Sequence, residues 1–244
     1  MRTSNKLIIT AFIITILAMI IRDEQLKAVY LTKSYLNPLK DFTTLDIKDF
    51  TAIDNNSAGI ANVKIVKGPY KVMVLNDAKD FVHITRENGR LEINAIFKKD
   101  DGAHSSYFND RWVYVSCPGI TDLKLDSRYV VGNKMSIDTT TKRHWGHSTL
   151  QGFNLDSLYL SMDNGCILQL DSNNIRTLKA DVAMNTASNS SLEIKKTNNI
   201  AKAFFNIQNN GNLNLYSAIP DLSYTLSDSA TLSLTGNVAN RAKK

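Results

Sequence analysis

The chain has 244 residues, of which 43% are hydrophobic and 21% charged, with a formal net charge of +6. That much apolar material excludes a disordered chain and allows one large domain or two small ones. The positive balance does not point to nucleic acid, because the Lys and Arg residues are scattered; the dense groups Lys98-Lys99, Lys142-Arg143, Lys195-Lys196 and the tail Arg241, Lys243 and Lys244 are short.

In chain order the first element is an uncharged run from Leu7 to Ile21, LIITAFIITILAMII, with Arg2 and Lys6 before it and Arg22, Asp23 and Glu24 after it. Ten of its residues are Leu, Ile or Phe, which favours insertion into a membrane by roughly 3 to 6 kcal/mol. A cleaved signal peptide is one reading, but Ala18-Met19-Ile20 is a poor cleavage site. The favoured reading is an uncleaved anchor helix over residues 1–21. At ~1.5 Å per residue it covers ~22 Å of a ~30 Å hydrocarbon core, so flanking Lys6 and Arg22 would have to close the gap. The basic flank predicts a cytoplasmic N-terminus and an exported body, periplasmic or at the cell surface. Residues 22–45 read as a stalk whose helix stops at Asn37-Pro38, since proline disfavours helix in the residue before it.

Beyond about Asp46 short alternating runs recur between polar turns. NVKIV (62–66), YKVMVL (70–75), FVHITR (81–86), RLEINAIF (90–97) and RWVYVS (111–116) have the period of half-buried strands. Asn88-Gly89 supplies the positive φ of a hairpin turn, and Lys67-Gly68-Pro69 marks another turn. Four later segments share a plan: a strand-like start, a turn of Asn, Asp, Ser or Gly, and an x-Leu-x-Leu/Ile ending. They begin at Phe153, Ile175, Ile200 and Ile219 and end on Leu168/Leu170, Leu192/Ile194, Leu213/Leu215 and Leu232/Leu234. Spacings of 24, 21 and 19 residues between these endings predict stacked units with leucine columns inside. The fold expected over residues 46–240 is therefore all-β, a β-solenoid; a β-sandwich with chance spacing is the alternative.

These residues resemble a known family. FTAI (50–53), ANVKIVKG (61–68), NGRLEI (88–93), WVYVSCPGITDLKL (112–125) and the Leu-x-Leu units up to Gly236 are similar to the GIN domain, the head domain of putative auto-transporter adhesins, a domain of unknown function in bacterial envelope proteins. Here Asn and Ser often stand where that family has Gly, as in residues 185–191. The resemblance covers residues 50–236 and implies a right-handed parallel β-helix, an exported location and no catalytic residues.

No constellation in the chain reads as catalytic, cofactor-binding or metal-binding. His144 and His147 form the only close histidine pair, His83 and His104 are isolated, and no third ligand lies nearby. Asp100, Asp101, Asp110, Asp122 and Asp126 could be paired acids of a polysaccharide-active enzyme, but they do not recur at the repeat period. Cys117 and Cys166 are too few for a disulfide framework and read as buried apolar side chains, with pairing left open. The insertion from Lys98 to Asp110, carrying Tyr107 and Phe108, reads as a polar loop able to contact a partner. The expected function is a non-catalytic adhesion, scaffolding or envelope-sensing module. It would meet the membrane through Leu7 to Ile21 and an envelope protein or glycan through its long faces, with no nucleic acid and no cofactor. A polysaccharide lyase or glycosidase is the rival, and a periplasmic partner of a sensor a third reading.

Overall fold

The structure, a computed structural model, describes residues 3–33, 36–98, 112–139 and 146–235. The chain divides into two compact units, Met1–Phe42 and Thr43–Lys244.

The first unit is built on α1 (Thr3–Thr32), a 30-residue helix. Its apolar residues fall on every side, and Leu7, Phe12, Ile16 and Ile20 are among those left exposed. Thr10 and Thr15 donate their hydroxyls to the carbonyls of Lys6 and Ala11, both at 2.9 Å, so neither adds an unpaired polar group to the apolar run. Lys33 then turns to positive φ and ends the helix ahead of the expected Asn37-Pro38 stop. Among the described residues no helix is long and apolar enough to cross a membrane. This corrects the expected spanning anchor. The uncharged run has fifteen residues before the charges at Arg22, Asp23 and Glu24, too short at ~1.5 Å each for a ~30 Å core.

The second unit is nearly all strand. Its first half contains β1 (Phe42–Leu45), β2 (Ala52–Asn55), β3 (Val63–Lys67), β4 (Lys71–Leu75), β5 (Val82–Glu87), β6 (Arg90–Phe97) and β7 (Val113–Cys117). Then come β8 (Asp122–Leu125), β9 (Arg128–Val131), β10 (Lys134–Ile137), β11 (Ser148–Gln151), β12 (Asn154–Met162) and β13 (Ile167–Asp171). Last are β14 (Asn174–Val182), β15 (Ser191–Ile194), β16 (Asn199–Ile207), β17 (Asn212–Leu215), β18 (Asp221–Leu226) and β19 (Thr231–Leu234). Two large sheets result. The first runs β1-β4-β7-β3-β11-β13-β15-β17-β19, and the second runs β10-β9-β6-β2-β8-β12-β14-β16-β18, with β5 paired to β6.

Both sheets are mixed. β4 pairs with β7, β5 with β6 and β9 with β10 in antiparallel fashion, while β7-β3-β11-β13-β15-β17-β19 and β9-β6-β2-β8-β12-β14-β16-β18 run as parallel neighbours. The right-handed parallel β-helix, or β-solenoid, expected over residues 46–240 is thereby overturned. The reason lies in turn chemistry. Asn88 (φ 50) and Gly89 (φ 76) close the β5–β6 hairpin, and Gly132 (φ 61) closes β9–β10. Tight turns of this kind send the chain straight back on itself. Parallel stacking continues ahead of residue 153 through β11, β8, β3 and β2, but the antiparallel partners β4, β5 and β10 interrupt the repeat plan there.

Within residues 153–234 the leucine endings do lie in register. Leu168 faces Leu192, Leu192 faces Leu213, and Leu213 faces Leu232; Leu170, Ile194, Leu215 and Leu234 form the next column. The second sheet adds Leu158, Leu178, Ala203 and Leu222, then Leu160, Ala180, Phe205 and Tyr224. In that last column the small Ala180 sits between the larger Leu160 and Phe205, as close packing requires, while Tyr224 at its end is exposed. The buried members of both sheets belong to one apolar core, which the last strands β18 and β19 leave half-covered.

Polar corners join the two sheets. The buried Asn173 donates to the Leu150 carbonyl at 2.9 Å and accepts from the Phe153 amide at 3.0 Å; Asn198 donates to the Leu170 carbonyl at 2.7 Å and accepts from the Asn173 amide at 3.0 Å. Each corner amide therefore binds the unit before it. We expect Leu192→Ala, a fully buried site, to cost about 2–5 kcal/mol. Urea unfolding followed by circular dichroism checks this, and a loss below about 1 kcal/mol would mean that the column does not carry the core.

Candidate functional site

The side chains facing away from the core on the second sheet form two continuous rows. One comprises Arg90, Ala52, Asp122, Tyr159, Lys179, Phe204 and Ser223, each opposite the next across neighbouring strands β6, β2, β8, β12, β14, β16 and β18. The other, two residues further along each strand, comprises Glu92, Asp54, Lys124, Ser161, Asp181, Asn206 and Thr225. Alternation places them there, since Leu160, Ala180 and Phe205, which lie between the rows, point into the core.

The ends of these rows differ chemically. At the β6 end, Arg90 grips Asp54 through two bonds, Nε to Oδ2 at 2.9 Å and Nη2 to Oδ1 at 2.6 Å, and reaches Asp122 at 2.5 Å. The two carboxylates raise the guanidinium's pKa further by hydrogen bonding, that with Asp54 first. At the β16 end the face is aromatic. Tyr159 and Phe204 are exposed there, at 38% and 36%. The Tyr159 hydroxyl donates to Asp181 Oδ2 at 2.6 Å, Asn206 donates to Asp181 Oδ1 at 3.1 Å, and Gln208 donates to Asn206 at 2.7 Å. The Lys179 and Lys202 ammoniums sit 5.9 and 4.9 Å from the Phe204 ring centroid. Between the two rows runs a groove of about 300 Å³.

A second groove of about 340 Å³ is lined by His83, Asn94, Lys124, Arg128 and Met135, among others. In its lining Asp126, buried, accepts from Arg128 Nε at 2.7 Å, from the Ser127 amide at 2.8 Å and from Asn164. Asp126 thus lines the floor of this groove with its carboxylate already engaged by these partners.

The structure separates the residues weighed for chemistry. Asp122 lies in the first row and Asp126 at the corner beyond β8, each with a different arginine. His83 stands exposed on β5, and His147 is exposed just before β11. His104, His144, Asp100, Asp101, Asp110, Tyr107 and Phe108 lie outside the described residues. Among the described residues no group of three or more His, Cys, Asp or Glu side chains could hold a metal ion. Cys117 and Cys166 are both buried and free, which settles the pairing left open above. Burial pushes the Cys117 thiol up to about 12, and burial, with Asp126 and Asp163 nearby, raises Cys166 as well.

No family model matches the chain, and no curated protein matches it. The GIN-domain resemblance therefore stands on its residue pattern alone. Similar solved structures do exist. One is a putative adhesin from Parabacteroides merdae ATCC 43184, 12% identical over 78% of this chain and 79% of that one, with a TM-score of 0.49. A putative adhesin from Bacteroides fragilis NCTC 9343 is 12% identical over 79% of this chain and 91% of that one, with a TM-score of 0.45. A putative lipid binding protein from Parabacteroides distasonis ATCC 8503 is 11% identical over 79% of this chain and 92% of that one, with a TM-score of 0.39.

Reading the sequence did not find the Tyr159, Lys179 and Phe204 row. Its members are 20 and 25 residues apart, and only the strand register makes them neighbours. The leucine endings could have supplied that register by extrapolation. The row has a measurable mark in the Tyr159 phenol, which its hydrogen bond to Asp181, with burial and that negative charge, pushes up to about 12. An unfolded tyrosine ionises near pH ~10. This contribution to stability is thus complete below pH ~10 and is lost as pH climbs through about 12. The difference in phenolate absorbance between wild type and Tyr159→Phe should titrate near pH 12 and move down in Asp181→Asn; a midpoint at pH ~10 in wild type would show the bond to be absent.

Proposed function

We propose that this chain is a non-catalytic, adhesion-like binding module, held at a membrane through Leu7 to Ile21 and meeting an envelope partner through the outer face of the second sheet. The observation that carries this reading is the pair of outward rows. They present aromatic and hydrogen-bonding side chains on neighbouring strands, with the Tyr159–Asp181–Asn206 network holding them in place before any partner arrives. Pre-ordered side chains lose little freedom on binding, which suits recognition. The two described acids weighed for catalysis support the same reading, because Asp122 shares Arg90 with Asp54, and Asp126 holds Arg128.

Membrane contact is supported by α1. Apolar side chains are exposed all round the stretch from Leu7 to Ile21, and a helix that is apolar all round needs an apolar surrounding. Membrane fractionation of the full chain tests the contact. It should sediment with membranes, and a chain lacking residues 1–21 should not; a full chain in the soluble fraction contradicts the reading. Binding of the full chain to isolated bacterial envelopes tests the face. Phe204→Ala should weaken it about tenfold, and envelopes that bind both forms equally would place the contact elsewhere.

A further inference from the structure

The row through β12, β14 and β16 has a composition and spacing that narrow the partner's chemistry. This step rests on the outer face being the contact surface. Tyr159, Lys179 and Phe204 stand opposite one another on successive parallel strands. Such strands lie roughly 4.8 Å apart, so the two rings are about 10 Å apart with a lysine between them. That strand spacing is close to the advance of an extended glycan chain per pyranose ring. A chain of sugars laid across the strands would bring one ring to Tyr159, the next to Lys179 and a third to Phe204.

Charge decides which sugars fit. Lys179, Lys202, Asp181 and Asp221 carry two positive and two negative charges on this patch, and Lys202 is already paired with Asp221 at 2.8 Å. With that pair cancelled, one ammonium, Lys179, and one carboxylate, Asp181, remain, so the patch offers an acidic polymer no net attraction. A neutral sugar has no such conflict. Its C–H face stacks on an aromatic ring, and its hydroxyls can both donate and accept. Asp181 and Asn206 lie in the neighbouring row on the same face, two residues beyond Lys179 and Phe204 respectively. Among the described residues Lys179 has no carboxylate in ion-pair range, and its ammonium lies 5.9 Å from the Phe204 centroid. It is free to turn from the ring to a hydroxyl. A peptide adding itself as a strand is excluded here, because β14 and β16 pair with neighbours on both sides. The groove, about 300 Å³, is of ligand-site size.

We propose that this groove binds a neutral, extended oligosaccharide, with pyranose rings stacked on Tyr159 and Phe204 and hydroxyls bonded to Lys179, Asp181 and Asn206. The test is calorimetric titration of the full chain in detergent with cellohexaose, xylohexaose, mannohexaose and maltohexaose, with hexagalacturonate as the charged control. At least one neutral hexamer should bind, and raised salt should leave its affinity unchanged. Phe204→Ala and Phe204→Leu should each weaken binding about tenfold, whereas Phe204→Tyr should preserve it. Matching circular dichroism spectra would show that the variants fold. If no neutral hexamer binds at millimolar concentration, if only hexagalacturonate binds, or if Phe204→Ala binds as well as wild type, the inference is wrong. Loss of envelope binding in Phe204→Ala without any saccharide binding would keep the contact surface and discard the sugar. If Phe204→Ala affects neither envelope nor saccharide binding, both fall.

Discussion

Parallel register between neighbouring strands is the constraint on which the rest of this structure depends, and buried asparagines enforce it. Asn173 and Asn198 sit where the chain passes from one sheet to the other, and each binds back to a carbonyl one unit earlier. The buried amide of one also accepts from the backbone of the other's corner. Sliding one strand by a single residue would break these bonds and leave buried polar groups unpaired, at a cost of about 1–3 kcal/mol each. It would also turn Leu192 and Ile194 away from the core, because side chains alternate with period two. Apolar columns and polar corners therefore agree on one pairing.

What the register does inside the molecule it also does outside. The pairing that stacks Leu178 on Ala203 also sets Lys179 beside Phe204. The outward rows are thus a consequence of core packing, and their spacing is the spacing of the backbone itself. Such a surface is stiff, since moving one member would require the ladder beneath it to shift. The Tyr159–Asp181–Asn206 hydrogen bonds add side-chain order to backbone order.

Part of this was legible in the residues. Period-two alternation located β3, β5 and β6 to within a residue or so, and Asn88-Gly89 marked its hairpin. The leucine endings announced their own columns by spacing alone. The mixed pairing of the first half was not legible, because a turn reveals that the chain reverses but not which strand lies alongside. β4 follows β3 in sequence, yet β7 lies between them in the sheet. The outer row was hidden for a second reason. In β12, β14 and β16 the pairing passes over Asp156, Arg176 and Ala201, and the alternation of buried and exposed residues changes phase there. A reader counting by twos from the strand starts would assign Phe204 to the wrong face. The corner asparagines looked like ordinary turn residues, because nothing in a sequence distinguishes a solvated amide from a buried one.

The most direct measurement of this account is the pattern of nuclear Overhauser contacts in isotopically labelled protein. Parallel register predicts backbone amide to Hα contacts joining the Leu168 segment to that of Leu192, and the Lys179 segment to that of Phe204. Strong Hα–Hα contacts between these strands would signal antiparallel pairing. Contacts displaced by one residue would send Phe204 inward. Either result would dissolve the outward row and the function assigned to it.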